Sequence, residues 1–197
     1  IEGVSTDAER TASGYKKTGD LITLPYTEET LTEKVKLATI LGTFQSTLTN
    51  FRYLNRKWGE NCEEERLLGV SMTGIMDNAL TNGKKKGLEG LLDRLKEVAI
   101  VTNKYWAKQL GIPQSAAITC VKPSGTVSQL VDSASGIHAR HAPYYIRTVR
   151  ADKKDPLAKM MFDQGFPSED DVTKPEHTWV FSFPVKGPPR GIYRKDM

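Results

Sequence analysis

The residues best placed to do chemistry in this sequence are Lys122, Pro123, Ser124, Gly125, Thr126, Val127 and Ser128. Three hydroxyls, a glycine and a lysine within seven residues suit the binding of an anion such as phosphate. In such a turn, free backbone N–H groups and hydroxyls converge on the ligand, and the positive end of a following helix favours negative charge. Gly125 lets the backbone approach a ligand closely, and Lys122 adds a point charge. The spacing is not that of a Walker loop, which needs Gly-x-x-x-x-Gly-Lys. The same residues would also serve as an ordinary strand–turn–helix joint capped by serine and threonine, since Ser/Gly/Thr turns are common. Residue type alone leaves both readings open.

The other reactive residue types are less promising. Cys62 sits in Asn61-Cys62-Glu63-Glu64-Glu65-Arg66, where neighbouring carboxylates disfavour a thiolate. Asn61 there reads as a helix N-cap with acids in the first turn, where the dipole favours them. Cys120 precedes the Ser/Gly/Thr turn and reads as core. His138, His141 and His177 lack zinc-ligand spacing, so no metal site is expected. Arg140, His141, Arg147 and Arg150 either enlarge an anion site or are simply solvated. Lys84, Lys85 and Lys86 lie between Gly83 and Gly87 and read as a solvated loop.

These residues need elements to hold them. The run 116–121 (Ala116 to Val121) has the length and β-branching of a strand; Pro123 then ends any ladder because it has no N–H to give. Gln129, Leu130 and Val131 start a helix. Upstream, Leu88, Leu91, Leu92, Leu95, Val98, Ala99, Thr102, Trp106 and Leu110 repeat at three and four, which predicts a helix over 88–110. Gly111 is its C-terminal cap, and Pro113 bars continuation. A first helix is expected from Thr30, with Glu33 completing a capping box. Its apolar stripe of Leu31, Val35, Ala38, Leu41 and Phe44 shifts to Leu48, Phe51 and Leu54 and runs to about Trp58. Between these helices, 67–76 is apolar with Gly69 and Gly74, as in a buried segment approached by other backbone. Downstream, 132–143 is a Ser/Gly/Ala-rich loop, 145–150 is extended, and a helix spans about 156–164 before Gly165. Trp179, Phe181 and Phe183 alternate on one face of a strand at 178–184. The segment 13–19 is turn-like and 20–26 reads as an edge strand ended by Pro25, while 187–197 shows no packing pattern. Helix, strand, phosphate-type turn and helix in succession is the grammar of an α/β fold.

Composition sets the outer limits. With 197 residues, 38% of them hydrophobic, the chain is long enough for one domain with a real core or for a piece of a larger one. A net charge of +4 with no clustering, apart from the lysine triplet, argues against direct nucleic-acid binding. No run nears the about 20 apolar residues of a membrane span, and no signal peptide is expected from the polar first residues. Two widely separated cysteines suit a reduced, cytoplasmic protein. The lack of an initial Met suggests processing or truncation.

Five stretches together carry a resemblance. They are Glu63 to Asp77, Ala117 to Ser128, Ser133-Ala134-Ser135-Gly136-Ile137-His138, Tyr144-Tyr145-Ile146-Arg147, and Val180 to Val185. In this order they resemble class II, adenosylcobalamin-dependent ribonucleoside-triphosphate reductases, over about residues 30–186. The resemblance implies an α/β fold that is part of the ten-stranded ribonucleotide reductase barrel. It further implies that Pro123, Ser124, Gly125, Thr126, Val127 and Ser128 cradle the substrate phosphates. The ribose is thereby fixed for a cysteine thiyl radical, whose formation by cobalt–carbon homolysis belongs to the cofactor. Ribonucleoside triphosphate, adenosylcobalamin, and a thiol reductant such as thioredoxin are the implied ligands and partners.

The departures are as informative as the match. In that family the radical cysteine lies in an Asn-Pro-Cys-x-Glu motif upstream of the segment matching the first helix, and residues 1–28 hold no cysteine. Asn61-Cys62-Glu63 echoes the motif with the wrong spacing, so no catalytic residue is assigned. A missing reductase segment or chain would have to supply the radical, and the chain alone is expected to be inactive. Residues 1–29 and 187–197 diverge from the family, and 13–28 faintly resembles tailed-phage structural proteins. The alternative reading is therefore a non-catalytic phage structural or interaction protein carrying a relict reductase segment.

Overall fold

A computed structural model describes residues 16–18, 21–23, 27–189 and 191–197. Two short strands, β1 (Lys16–Thr18) and β2 (Leu21–Thr23), pair antiparallel with Lys17 opposite Ile22. The turn expected at 13–19 therefore meets a strand at its centre, and the edge-strand reading holds at Leu21–Thr23. The rest of both readings lies outside the described residues.

Helix α1 (Glu28–Gln45) begins one turn earlier than the expected cap. Thr27 is the N-cap, and its box partner is Thr30, not Glu33: Thr30 N–H donates to Thr27 Oγ1 (3.3 Å) and Thr27 N–H to Thr30 Oγ1 (3.0 Å). The helix also stops well short of Trp58. Ser46 and Thr47 turn their hydroxyls back onto the carbonyls of Thr43 and Phe44 (both 2.7 Å), competing with the ladder at its last turn. Arg66 Nη1 takes the Ser46 carbonyl at 2.8 Å. A separate helix, α2 (Arg56–Glu65), then starts from Asn55, whose side chain accepts from Lys57 N–H. Asn61 and Cys62 thus lie inside a helix, not at its cap.

Helix α3 (Leu88–Leu110) matches its prediction end to end, closed by Gly111 at φ +67°. It packs along α1, and the core between them is Leu31, Val35, Leu91, Leu95 and Ala99, completed by Leu68 and Ile118. Each leucine, isoleucine or valine of this set contributes about 1.5–3 kcal/mol by burial, and Ala99 less. The lower half of α1 does not follow the expected stripe. Thr39 and Thr43 are fully buried, whereas Leu41 and Leu48 are 69% and 72% exposed. Thr39 Oγ1 donates to Val35 O (2.8 Å), and Thr43 meets Asn103 of α3, whose Nδ2 donates to Thr43 Oγ1 (3.0 Å) and Ser115 Oγ (2.9 Å).

The stretch 116–121 is extended but earns only one bridge, parallel, between Thr119 and Val70. Leu68 N–H donates to Ala117 O and Val70 N–H to Ile118 O, both at 2.9 Å, and Cys120 N–H returns to Val70 O. Two parallel extended segments joined through α3 form a βαβ-like unit. Cys120 itself is exposed, not core.

The remaining strands form an antiparallel sheet in the order β3 (Tyr144–Asp152), β5 (Thr178–Lys186), β4 (Ser168–Asp170). Helix α5 (Pro156–Asp163) covers one face, started by the Asp155 cap and Pro156. Phe162 stacks on Trp179 at 4.2 Å between ring centroids, and Phe166 leans on Phe183, as the alternation of β5 predicts. The architecture is mixed helix and strand. No helix among the described residues is long and apolar enough to cross a membrane.

Candidate anion-binding site

The chain after Cys120 leaves the parallel pair and forms the turn at 122–126. A short helix, α4 (Val127–Leu130), follows. It is only four residues long, so the dipole available to an anion is that of a single turn. Thr126 stands at its N-cap with αR backbone and makes no side-chain cap bond. Among the described residues, the N–H groups of Gly125, Thr126 and Val127 and the Thr126 hydroxyl have no hydrogen-bond partner. Gly125, Thr126 and Val127 are all exposed, and a Cβ placed on Gly125 would meet nothing within 4 Å. Four donors on three consecutive residues therefore face open space.

Ser124 and Ser128 are committed within the protein. Ser124 Oγ lies 2.6 Å from Thr73 Oγ1 and accepts from Gly136 N–H at 3.0 Å. The Ser124 carbonyl takes the hydroxyls of Ser128 (2.9 Å) and Ser135. Ser128 is fully buried and also reaches the Gly125 carbonyl at 3.1 Å, tying the turn to itself. Pro123 is exposed, and Lys122 is held at its backbone by Ser71 Oγ (3.2 Å). The Lys122 side chain lies across Gly69: a Cβ there would sit 2.7 Å from Nζ. Its charge is thus laid over Gly69, while the expectation had it serving the turn.

The turn is gripped by the loop 132–136. Thr73 Oγ1 donates to Ala134 O and accepts from Gly136 N–H, both at 3.0 Å, while Gly74 N–H reaches Ala134 O at 2.8 Å. Gly74 has φ +71°, and a Cβ there would lie 2.9 Å from Ser133 Cβ, so both backbone conformation and close approach require glycine. Behind the loop lies an ion-paired cluster. Arg140 Nε donates to Asp77 Oδ2 (2.9 Å) and its Nη1 to Asp132 Oδ1 (3.1 Å). The side chains of Arg140 and Asp77 are 4% and 11% exposed. Burial works against the Arg140 charge, but Asp77 and Asp132 more than offset it and hold its pKa above the ordinary value. Asp77 Oδ2 also accepts from Ala134 N–H at 2.7 Å.

Two of the three arginines proposed to enlarge an anion site are otherwise engaged. Arg140 is sequestered, and Arg150 Nε donates to Asp171 at 2.6 Å. Arg147 is half-buried on β3, and His141 is exposed. The lysines 84–86 are exposed. Cys62 lines a different cavity, of about 490 Å³, with Phe51, Trp58 and Arg66, and no residue of the turn reaches it. Among the described residues no group of three or more His, Cys, Asp or Glu could hold a metal ion.

Sequence reasoning missed Thr73, Asp77 and the tail. The terminal segment packs after all. Tyr193 is 6% exposed, its hydroxyl donates to Pro188 O, and Arg194 N–H donates to Arg140 O at 2.9 Å. Ile192 N–H meets Met76 O at 2.8 Å. A lone tyrosine among prolines and lysines carries no periodicity, so only the spatial partners reveal it.

No family model matches the chain. An adenosylcobalamin-dependent ribonucleoside-triphosphate reductase of Lactobacillus acidophilus is 28% identical over 94% of this chain and 28% of its own length. The Euglena gracilis protein of the same name is 32% identical over 65% of this chain and 18% of its own. A crystal structure of a B12-dependent, class II ribonucleotide reductase superposes with a TM-score of 0.68 at 25% identity, covering 86% of this chain and 26% of that one. The chain thus spans about a quarter of the length of these relatives. In sequence and in fold it is similar to one contiguous part of the class II, adenosylcobalamin-dependent ribonucleotide reductases.

Proposed function

We propose that this chain is the part of a class II ribonucleotide reductase that holds the phosphates of a ribonucleoside triphosphate. The observation that carries the reading is the set of four unpartnered donors on Gly125, Thr126 and Val127 at an open turn, with Ser124 and Ser128 bracing it from behind. A triphosphate seated there would accept from the three backbone N–H groups and from Thr126 Oγ1. Charge-assisted bonds of this kind are shorter and stronger than neutral ones. Their work is positioning: fixing the phosphates fixes the ribose, and reaction then depends on where the sugar's hydrogen lies relative to the radical.

The rest of that enzyme would come from another segment or chain, which supplies the radical cysteine and completes the ten-stranded barrel. Val121, Leu130, Leu41 and Leu48 are between 69% and 83% exposed and would be covered by it. In such a complete enzyme, held in the cytoplasm and without direct contact to nucleic acid, adenosylcobalamin would supply the radical chemistry and a thiol reductant such as thioredoxin would restore the cysteines. The cavity found among the described residues does not fit cobalamin. The cavity lined by Phe51, Trp58 and Cys62, about 490 Å³, has the size of a drug-like ligand pocket and not of a corrinoid with its nucleotide arm. No step through the cofactor is therefore assigned here.

Calorimetric titration of the purified chain with ribonucleoside triphosphate, inorganic triphosphate and the bare ribonucleoside tests the reading. The first two bind and the third does not. Thr126→Val removes one donor and no protein contact, a loss of about 1.5–3 kcal/mol, or roughly 10- to 150-fold in affinity. Equal affinity of the variant and the unaltered chain would refute it.

A further inference from the structure

We infer that the buried Asp77–Arg140 pair is the positioning device of the anion turn, acting through Ser124, and that Ser124 is itself a latch and not an anion ligand. The inference rests on the phosphate reading above and extends it to residues outside the turn.

The path is continuous, hydrogen bonds joined by short stretches of backbone. Arg140, 4% exposed, donates to both oxygens of Asp77 (2.9 and 3.2 Å), which fixes the rotation of that carboxylate. The oriented Oδ2 accepts from Ala134 N–H at 2.7 Å, and Arg140 Nη2 donates to the carbonyl of Asp132. Both ends of the loop 132–134 are thereby held. Two residues on, Gly136 N–H is delivered to Ser124 Oγ and Thr73 Oγ1, each at 3.0 Å. With its oxygen between Thr73 and Gly136, the Ser124 hydroxyl has its geometry fixed by protein, whereas that of Thr126 is free. The Gly125 N–H shares the peptide plane of the Ser124 carbonyl, which Ser128 and Ser135 pin, and the next two N–H groups share those of the Gly125 and Thr126 carbonyls, held by the Ser128 hydroxyl and Gln129 N–H.

Asp77 also has φ-strained company that shows how tightly this loop is set: Asp132 is one of two described non-glycine residues at positive φ, at +46°. The terminal segment closes the cluster from outside, since Arg194 N–H caps the Arg140 carbonyl and Tyr193 pairs with Arg140 across a parallel bridge. The order of the tail is therefore part of the same device.

A double-mutant cycle on inorganic-triphosphate affinity separates positioning from general stability, all proteins being compared well below their unfolding midpoints. Asp77→Asn and Ser124→Ala each weaken binding by about tenfold, the worth of about 1.4 kcal/mol. The double variant is no weaker than either single, because both cut one path. Asp77→Asn with Thr126→Val, by contrast, multiplies to about a hundredfold, since Thr126 acts directly. Amide exchange supplies a readout that needs no ligand: Gly136 N–H exchanges faster in Asp77→Asn while α3 amides keep their protection. If Asp77→Asn does not fold, Thr73→Val cuts the bracket at its other end and is expected to give the same cycle and the same exchange. Multiplicative losses for Asp77→Asn with Ser124→Ala, or an unchanged Gly136 rate, would overturn the inference. Absence of triphosphate binding by the unaltered chain would instead overturn the phosphate reading, and the Gly136 rate alone would then decide whether Asp77 braces the loop.

Discussion

Replacing Asn103 by alanine is the sharpest test of how the molecule delivers its turn. Asn103 is fully buried on α3 and makes three hydrogen bonds: Nδ2 to Thr43 Oγ1 at 3.0 Å, Nδ2 to Ser115 Oγ at 2.9 Å, and Oδ1 from Ser115 N–H at 3.0 Å. It therefore ties α1, α3 and Ser115, the residue just before the run 116–121 that leads to Lys122, into one unit. Each net bond is worth about 0.5–1.5 kcal/mol. The buried Ser115 N–H left without an acceptor adds a desolvation cost of about 1–3 kcal/mol. The sum is about 2.5–7.5 kcal/mol, a large share of the about 5–15 kcal/mol that holds a typical domain folded. Urea unfolding followed by circular dichroism reads it as a fall in midpoint at constant slope. Thr43→Val breaks one of the same bonds, so the pair of substitutions costs less than the sum of the singles. A loss below about 1 kcal/mol for Asn103→Ala, or strict additivity with Thr43→Val, would refute the network as the tie between α1 and the 116–121 segment.

Two further outcomes follow from local geometry. The Thr173 hydroxyl, Arg150, and the backbone N–H groups of Thr173 and Lys174 hold the Asp171 carboxyl far below the usual carboxylate range. Its folded pKa is depressed, so its contribution is complete above the unfolded value of about 3.9 and is lost as pH falls below it. Thermal midpoints measured from pH 6 down to pH 2 should drop more steeply for the unaltered chain than for Asp171→Asn; parallel curves would contradict this. Gly111→Ala forces an alanine to φ +67° at the end of α3 with nothing to clash against, so the cost is purely conformational, about 1–2 kcal/mol. A midpoint unchanged by that substitution would show that the helix ends elsewhere.

What the sequence determined by itself is whatever depends on near neighbours. The three-and-four spacing from Leu88 to Leu110 with Gly111 behind it specifies α3, because periodicity and the left-handed cap are properties of one helix. The Asp155–Pro156 start of α5 and the Trp179, Phe181, Phe183 alternation of β5 are local in the same sense. The Ser/Gly/Thr turn was legible because its donors come from consecutive residues. Tertiary structure decided the rest. Which side of α1 is buried turned on Asn103, sixty residues away from Thr43, whose amide makes that threonine a better core residue than the leucines nearby. The end of α1 turned on Ser46, Thr47 and Arg66 jointly, and the roles of Arg140 and Asp77 on a pairing across 63 residues. Whether Ser124 or Thr126 stays free for a ligand depended on Thr73 and Gly136, which no spacing within the turn could indicate. A charge or hydroxyl declares its chemistry in the sequence, but its partner is chosen by the fold, and an unpaired group differs from a paired one only in space.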